Sequence, residues 1–279
     1  MKLKRGPIVR MFSVGMFAAF CLSLFAVAPA SARDTLADIK ARGKLVVGVK
    51  TDYKPFGFLD PSGKVVGIEP ELAADVARRL GVTVEYVPVV AANRIQFLQQ
   101  GRIDLMIATM TDTPQREELV GIVKPSYYAA GVDILARKGS DLKTWDDLKG
   151  KPLCAIQGAF YNKDMQDKYG ANLVAFPGTT EALNALKSGS CIGFVYDDSF
   201  NNPKSLEPDW SSGYELPLAS IDVQPWGVAV DKGDDKFMAF MSDVVKDWHK
   251  SGKIIALEKK YNVPVSDFSK KMNAEANKK

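Results

Sequence analysis

Short β-branched apolar runs alternate with amphipathic stretches along most of this 279-residue chain, and the alternation occurs twice. A chain patterned in this way builds α/β layers, because each strand needs a helix to carry the chain back across the sheet. In the first pass, residues 34–42 read as a short helix stopped by Gly43, and residues 45–49 as a buried strand. Residues 71–80 form an amphipathic helix closed by Gly81, followed by a strand over 82–87. A helix over 93–100 ends at Gly101, and residues 104–108 form another buried strand. The pattern then restarts, with strands over 132–136, 152–156, 173–176 and 191–196. Between them lie a helical turn over 145–148, a helix running through Tyr169 and a helix over 181–187. A late strand over 227–230 leads into helices over 235–261 that return to the first unit, and the Lys-rich end reads as frayed.

This order predicts two α/β lobes with parallel sheets, the second inserted into the first. Residues 33–127 and 224–279 make lobe 1, and residues 128–223 make lobe 2. Two crossings, near 127–131 and 223–227, form a hinge with a cleft between the lobes. Open α/β sheets bind ligands beyond the carboxyl ends of their strands, so the loops after Val49, Ala108, Ile156 and Tyr196 are expected to face that cleft.

The first 32 residues predict the compartment. Lys2, Lys4, Arg5 and Arg10 precede an uncharged apolar run over residues 11–27, and Ala30-Ser31-Ala32 supplies small residues for a signal peptidase. The run falls short of the ~20 residues of a membrane span. Cleavage is expected after Ala32. Cys21 follows bulky Phe20 and is a poor lipid-attachment site, so a free periplasmic protein is expected. Four of the 37 lysines and arginines, and no acids, lie in this leader. The remaining 33 cations balance 33 acids, so the basic character belongs to the leader and gives no reason to expect a nucleic-acid partner.

Six blocks, in order and spacing, carry a family resemblance: Tyr53-Lys54-Pro55-Phe56, Gly67-Ile68-Glu69-Pro70-Glu71-Leu72, residues 98–104, residues 108–116, residues 147–151 and Phe194-Val195-Tyr196-Asp197-Asp198. Across residues 44–261 the chain resembles the polar-amino-acid solute-binding proteins of ABC importers, the bacterial extracellular solute-binding family 3. The resemblance implies a type II periplasmic-binding-protein fold, a small amino acid as ligand, and a membrane permease as partner. It implies a monomer without cofactor or metal.

By that resemblance Arg116, which closes a Thr-x-Thr-x-Thr-Pro-x-Arg segment, grips the ligand α-carboxylate. A planar guanidinium matches a carboxylate with two parallel charge-assisted bonds. Thr109 and Thr111 complete the cage. Asp197 matches the acid that accepts the α-ammonium, while Asp198 is free to cap the following helix. Lys50 and Arg94, in Asn93-Arg94-Ile95, are similar to the cations of the glutamate/aspartate-binding members and suit a second carboxylate. Tyr53 either walls the ligand or packs beneath its loop with Phe56 and Phe58. The family's usual hydroxyl after Gly158 is replaced by Ala159-Phe160, whose backbone amides are candidates instead. Thr179, at another helix start, is a further candidate. In this fold the strands carrying Cys154 and Cys191 are expected side by side, which makes a disulfide possible; two buried free thiols are the alternative.

An enzyme on the same fold, such as a dehydratase, is the rival class. The chain has one histidine, His249, on what reads as a helix surface, and no Ser/His/Asp set, metal cluster or phosphate loop. No catalytic or metal-ligating residue is expected. The reading is therefore a binding protein for glutamate or aspartate, with another polar amino acid as the alternative.

Overall fold

The computed structural model describes residues 34–278, together with Lys2. The leader, its expected cleavage after Ala32 and Cys21 lie outside the described residues.

Helix α1 (Thr35–Arg42) is capped by Asp34, which accepts the Ala37 N–H at 3.2 Å. It is stopped by Gly43 in the left-handed region at φ 67°. Then come β1 (Lys44–Val49), β2 (Asp52–Tyr53), β3 (Gly57–Leu59), β4 (Val65–Val66), α2 (Ile68–Leu80), β5 (Thr83–Pro88), α3 (Arg94–Gln99) and β6 (Leu105–Met106). Next are α4 (Pro114–Glu117), β7 (Gly121–Ile122), β8 (Tyr128–Arg137), a 3-10 turn (Trp145–Leu148), β9 (Pro152–Ile156), α5 (Asn162–Asp167), β10 (Asn172–Phe176) and α6 (Thr179–Ser188). The chain finishes with β11 (Gly193–Asp197), α7 (Asp198–Leu206), α8 (Pro208–Ser211), β12 (Tyr214–Glu215), β13 (Ile221–Trp226), β14 (Ala229–Val230), α9 (Asp235–Lys250), α10 (Lys253–Lys260) and α11 (Asp267–Ala276).

These elements form a bilobed α/β fold. One lobe holds the sheet β5-β1-β6-β14-β7, and the other holds β10-β9-β11-β8-β12 with β13 also on β8. The small sheet β2-β3-β4 packs on α2. Both large sheets are mixed rather than parallel. β1 runs parallel to β5 and β6, but β14 returns antiparallel; β9 runs parallel to β10 and β11, but β8 opposes β11. The reason is the insertion itself: the chain leaves one sheet for β8 and comes back through β13, so the returning strand enters from the opposite direction.

The two crossing segments lie side by side, with Tyr128 opposite Trp226. Trp226 is 1% exposed, and its ring lies 5.1 Å from Phe56 and 5.4 Å from Tyr128. This aromatic plug joins the lobes where the backbone crosses. The first sheet is covered on both faces. The α2 side buries Leu45, Val47, Leu72 and Val76, and the α3 side buries Leu98, Ile103, Met106 and Met110.

Two expectations need correction. The C-terminal segment is not frayed: Ser266 caps α11, and Asn273 donates to His249 O at 2.6 Å. His249 is not on a helix surface. It is 2% exposed, with Nε2 2.8 Å from Ser126 O. The 16-residue α9 turns this part of its circumference toward the crossing segment. Cys154 and Cys191 are joined by a disulfide. Cys154 lies on β9 opposite Phe194 of β11, and Cys191 lies just before that strand, which brings the two thiols together.

Candidate functional site

Arg94, Arg116, Asp197, Thr109, Thr111, Ala159 and Phe160 border one cavity between the lobes, with Ala91, Tyr161 and Tyr196. Each stands at a strand end, in the loop beyond it or in the first turn of the helix that follows, as open α/β sheets require. Arg116 is placed by α4, whose Thr113 cap and Pro114 fix the helix start. Its Nη1 donates to Thr111 O at 2.8 Å, and its Nη2 donates to Gly158 O of the other lobe at 3.1 Å. Burial lowers Arg116 to about 9, and the neighbouring Arg94 charge adds to the shift while Asp197 opposes it. The group stays protonated at neutral pH.

Arg94 is 3% exposed and begins α3. Its Nη1 donates to Ala108 O, while Nε is buried without a hydrogen-bond partner. Burial lowers its pKa, and Tyr196, Asp197 and Glu69 oppose that shift. The Tyr161 hydroxyl on the cavity wall is likewise buried without a partner. Asp197 ends β11 and is 7% exposed. It accepts from the Tyr53 hydroxyl at 3.0 Å. Burial pushes its carboxyl up to about 7, against the Tyr53 bond and the Arg94 and Lys50 charges.

Three expected residues take other places. Tyr53 is fully buried in the aromatic plug and reaches the cleft only through its hydroxyl, which also meets Ser199 Oγ at 2.7 Å. Lys50 is fully buried, with Nζ 3.0 Å from Asp52 Oδ1. Thr179 does not border the cavity. Its N–H and hydroxyl go to Asp52 Oδ2 at 2.9 Å and Asp52 O at 2.7 Å. The Ala159 amide is also committed, donating to Ile156 O at 3.2 Å, because α5 begins at Asn162 rather than directly after the glycine.

The sequence reading missed Tyr161, Tyr196, Ala91 and a buried carboxylate behind the site. Glu69 is fully buried and accepts from Thr109 N–H at 2.6 Å and from the Tyr127 hydroxyl. Thr109 itself lies in the left-handed region at φ 48°. Burial pushes Glu69 up to about 7, opposed by those bonds and by Arg94 and Lys50. Glu69 and Tyr196 stand within blocks already singled out, but nothing in their spacing marks them as facing inward. Among the described residues no His, Cys, Asp or Glu group is arranged to hold a metal ion.

Residues 45–264 match the bacterial extracellular solute-binding proteins, family 3. The chain belongs to this family. It is 30% identical over 268 residues to the ABC transporter glutamine-binding protein GlnH of Bacillus subtilis (strain 168), covering 90% of this chain and 97% of the relative. It is 26% identical over 264 residues to a glutamate/aspartate import solute-binding protein of Salmonella typhimurium, covering 89% and 86%. A crystal structure of a mutant ArgBP from T. maritima superposes with a TM-score of 0.76 at 31% identity, covering 82% of this chain and 99% of that one. This family 3 protein therefore binds a small polar amino acid for ABC import and works with a membrane permease. It is a binding protein, not an enzyme, and a periplasmic location fits the family and these relatives.

Proposed function

We propose that the protein captures glutamate or aspartate between its lobes and delivers it to the permease as a monomer. The observation that carries this reading is the charge of the cavity wall: two guanidinium groups, Arg94 and Arg116, border it with the single carboxylate of Asp197. A wall of net charge plus one suits a ligand of net charge minus one. Arg116 takes the α-carboxylate and Asp197 the α-ammonium. Arg94 draws the side-chain carboxylate, with its buried Nε and the Tyr161 hydroxyl as further donors.

Lobe 1 is assigned to residues 33–127 and 224–279 and lobe 2 to 128–223, with the leader removed after Ala32. Arg116 and Asp197 then stand on opposite lobes, and one zwitterion bridges them. Charged hydrogen bonds contribute ~1.5–3 kcal/mol each, so three or four, less ordering costs, reach the ~8 kcal/mol of a micromolar binder. Glutamine is the second reading, favoured by the relative that is 30% identical.

Titration calorimetry of ligand-stripped protein against the common amino acids tests the proposal. Binding of glutamate or aspartate, abolished in Arg116→Ala and weakened selectively over glutamine in Arg94→Ala, is expected. Tight binding of arginine with no heat from either acid would sink the acidic assignment.

A further inference from the structure

Helix α6 spans ten residues and starts at the lobe boundary without a cap of its own. Its N-cap position is Gly178, which has no side chain to accept the first free N–H groups. The cap comes from the other lobe. Asp52 Oδ2 accepts the Thr179 N–H at 2.9 Å, and the Thr179 hydroxyl donates back to Asp52 O at 2.7 Å. Glycine permits this approach: a Cβ at residue 178 would lie 3.2 Å from Asp52 Oδ2 and 2.9 Å from Glu181 Oε2. The other Asp52 oxygen is 3.0 Å from Nζ of the fully buried Lys50. A buried ammonium demands a paired anion, and that demand holds the carboxylate on its own side of the cleft.

We propose that Asp52 is the positioning residue that latches the closed cleft: Lys50 anchors it on one lobe, and its free oxygen caps α6 of the other only when the lobes meet. A carboxylate at a helix N-terminus is favoured twice, by the unpaired N–H groups and by the helix dipole. Separation of the lobes removes both partners of Thr179 at once. The latch therefore slows opening whatever amino acid is held, since neither Asp52 nor Thr179 borders the ligand cavity. Lys50 in this arrangement is an anchor and not a ligand contact. The proposal takes from the preceding section only that an amino acid binds between the lobes.

Stopped-flow dissociation of L-glutamate and of L-glutamine, measured in parallel, tests it. Asp52→Ala raises both off-rates by the same factor, roughly tenfold, with association rates little changed. Asp52→Asn keeps a capping oxygen but loses the ion pair with Lys50, so both off-rates fall between those of the wild type and Asp52→Ala. Lys50→Met raises both by a common factor, whereas a residue touching the ligand would change their ratio. Thr179→Ser behaves as wild type, and Thr179→Val shows a partial loss. Unchanged off-rates in Asp52→Ala, or an asparagine variant that releases ligand as fast as the alanine one, overturns the latch. So does a melting-temperature drop in the ligand-free protein with no kinetic effect, the mark of a purely structural role. Wild-type protein that binds glutamine but not glutamate refutes the acidic assignment and leaves the glutamine arm to decide the latch.

Discussion

Arg116 Nη2 donates across the cleft to the carbonyl oxygen of Gly158 at 3.1 Å, so the guanidinium assigned to the ligand also touches the opposite lobe. Gly158 sits at φ 80°, and its α-carbon is pressed against the first lobe. A Cβ there would lie 2.9 Å from Ala92 Cα and 3.0 Å from Ala91 C. Those atoms are backbone and cannot rotate away.

Gly158→Ala is accordingly expected to weaken amino-acid binding at least about tenfold, because the lobes no longer meet at the approach glycine allows. The left-handed conformation adds about 1–2 kcal/mol of lost stability. Calorimetry and denaturant unfolding of the same variant separate the two effects.

Arg116→Lys keeps the charge and loses the fork. A lysine cannot serve Thr111 O, Gly158 O and a carboxylate with one planar group. Affinity is expected to fall by roughly 10–100-fold, with little change in ligand-free stability, as read by calorimetry and thermal melting.

Binding is expected to release protons near neutral pH. Burial pushes the Asp197 carboxyl up to about 7, and a ligand ammonium beside it favours the ionised form and draws it down. Calorimetry at pH 6.5 in buffers of different ionisation enthalpy should show this release, which fades by pH 8.5 and is absent in Asp197→Asn.

The ligand-free protein is expected to become more stable on mild acidification. Asp197, Glu69 and Asp133 are each raised to about 7, chiefly by burial. A raised carboxyl contributes stability that is complete below its unfolded value and is lost as pH rises through the folded value. The melting temperature should therefore climb from pH 8 to pH 5.5. Asp75 works oppositely: hydrogen bonds from Trp248, Arg79 and Arg78 outweigh its burial and hold its carboxyl low. Its contribution disappears only in stronger acid, outside that window.

Replacing Cys154 and Cys191 by alanine opens a bridge that closes a separation of 37 residues. The chain-entropy relation assigns such a loop about 3–4 kcal/mol. Chemical denaturation should show that loss, while calorimetry should show unaltered ligand affinity, because neither cysteine borders the cavity.

Much of this was legible in the chain. The strand over 152–156 and the glycine stops at Gly43 and Gly81 follow from local rules, because periodicity and φ preference act within a few residues. Arg94, Thr109, Thr111, Arg116, Ala159, Phe160 and Asp197 were found through their motifs and do converge on one cavity. Mixed strand direction was not legible, since alternation is the same whichever way a returning strand runs. Nor were the partners of Lys50 and Thr179, both of which meet Asp52. A charge at a strand end can face ligand, water or another side chain with identical local sequence.

By itself the sequence determined the α/β class, the family and two arginines and an aspartate that line the cleft, because motif spacing and hydrophobic period are properties of neighbouring residues. Only the tertiary structure decided that Glu69 is buried behind Thr109, that α6 is capped from the opposite lobe, and that Lys50 faces Asp52. Those outcomes depend on groups 40, 127 and 2 positions apart being excluded from water together, and desolvation is a property of the assembled interior rather than of any stretch of chain.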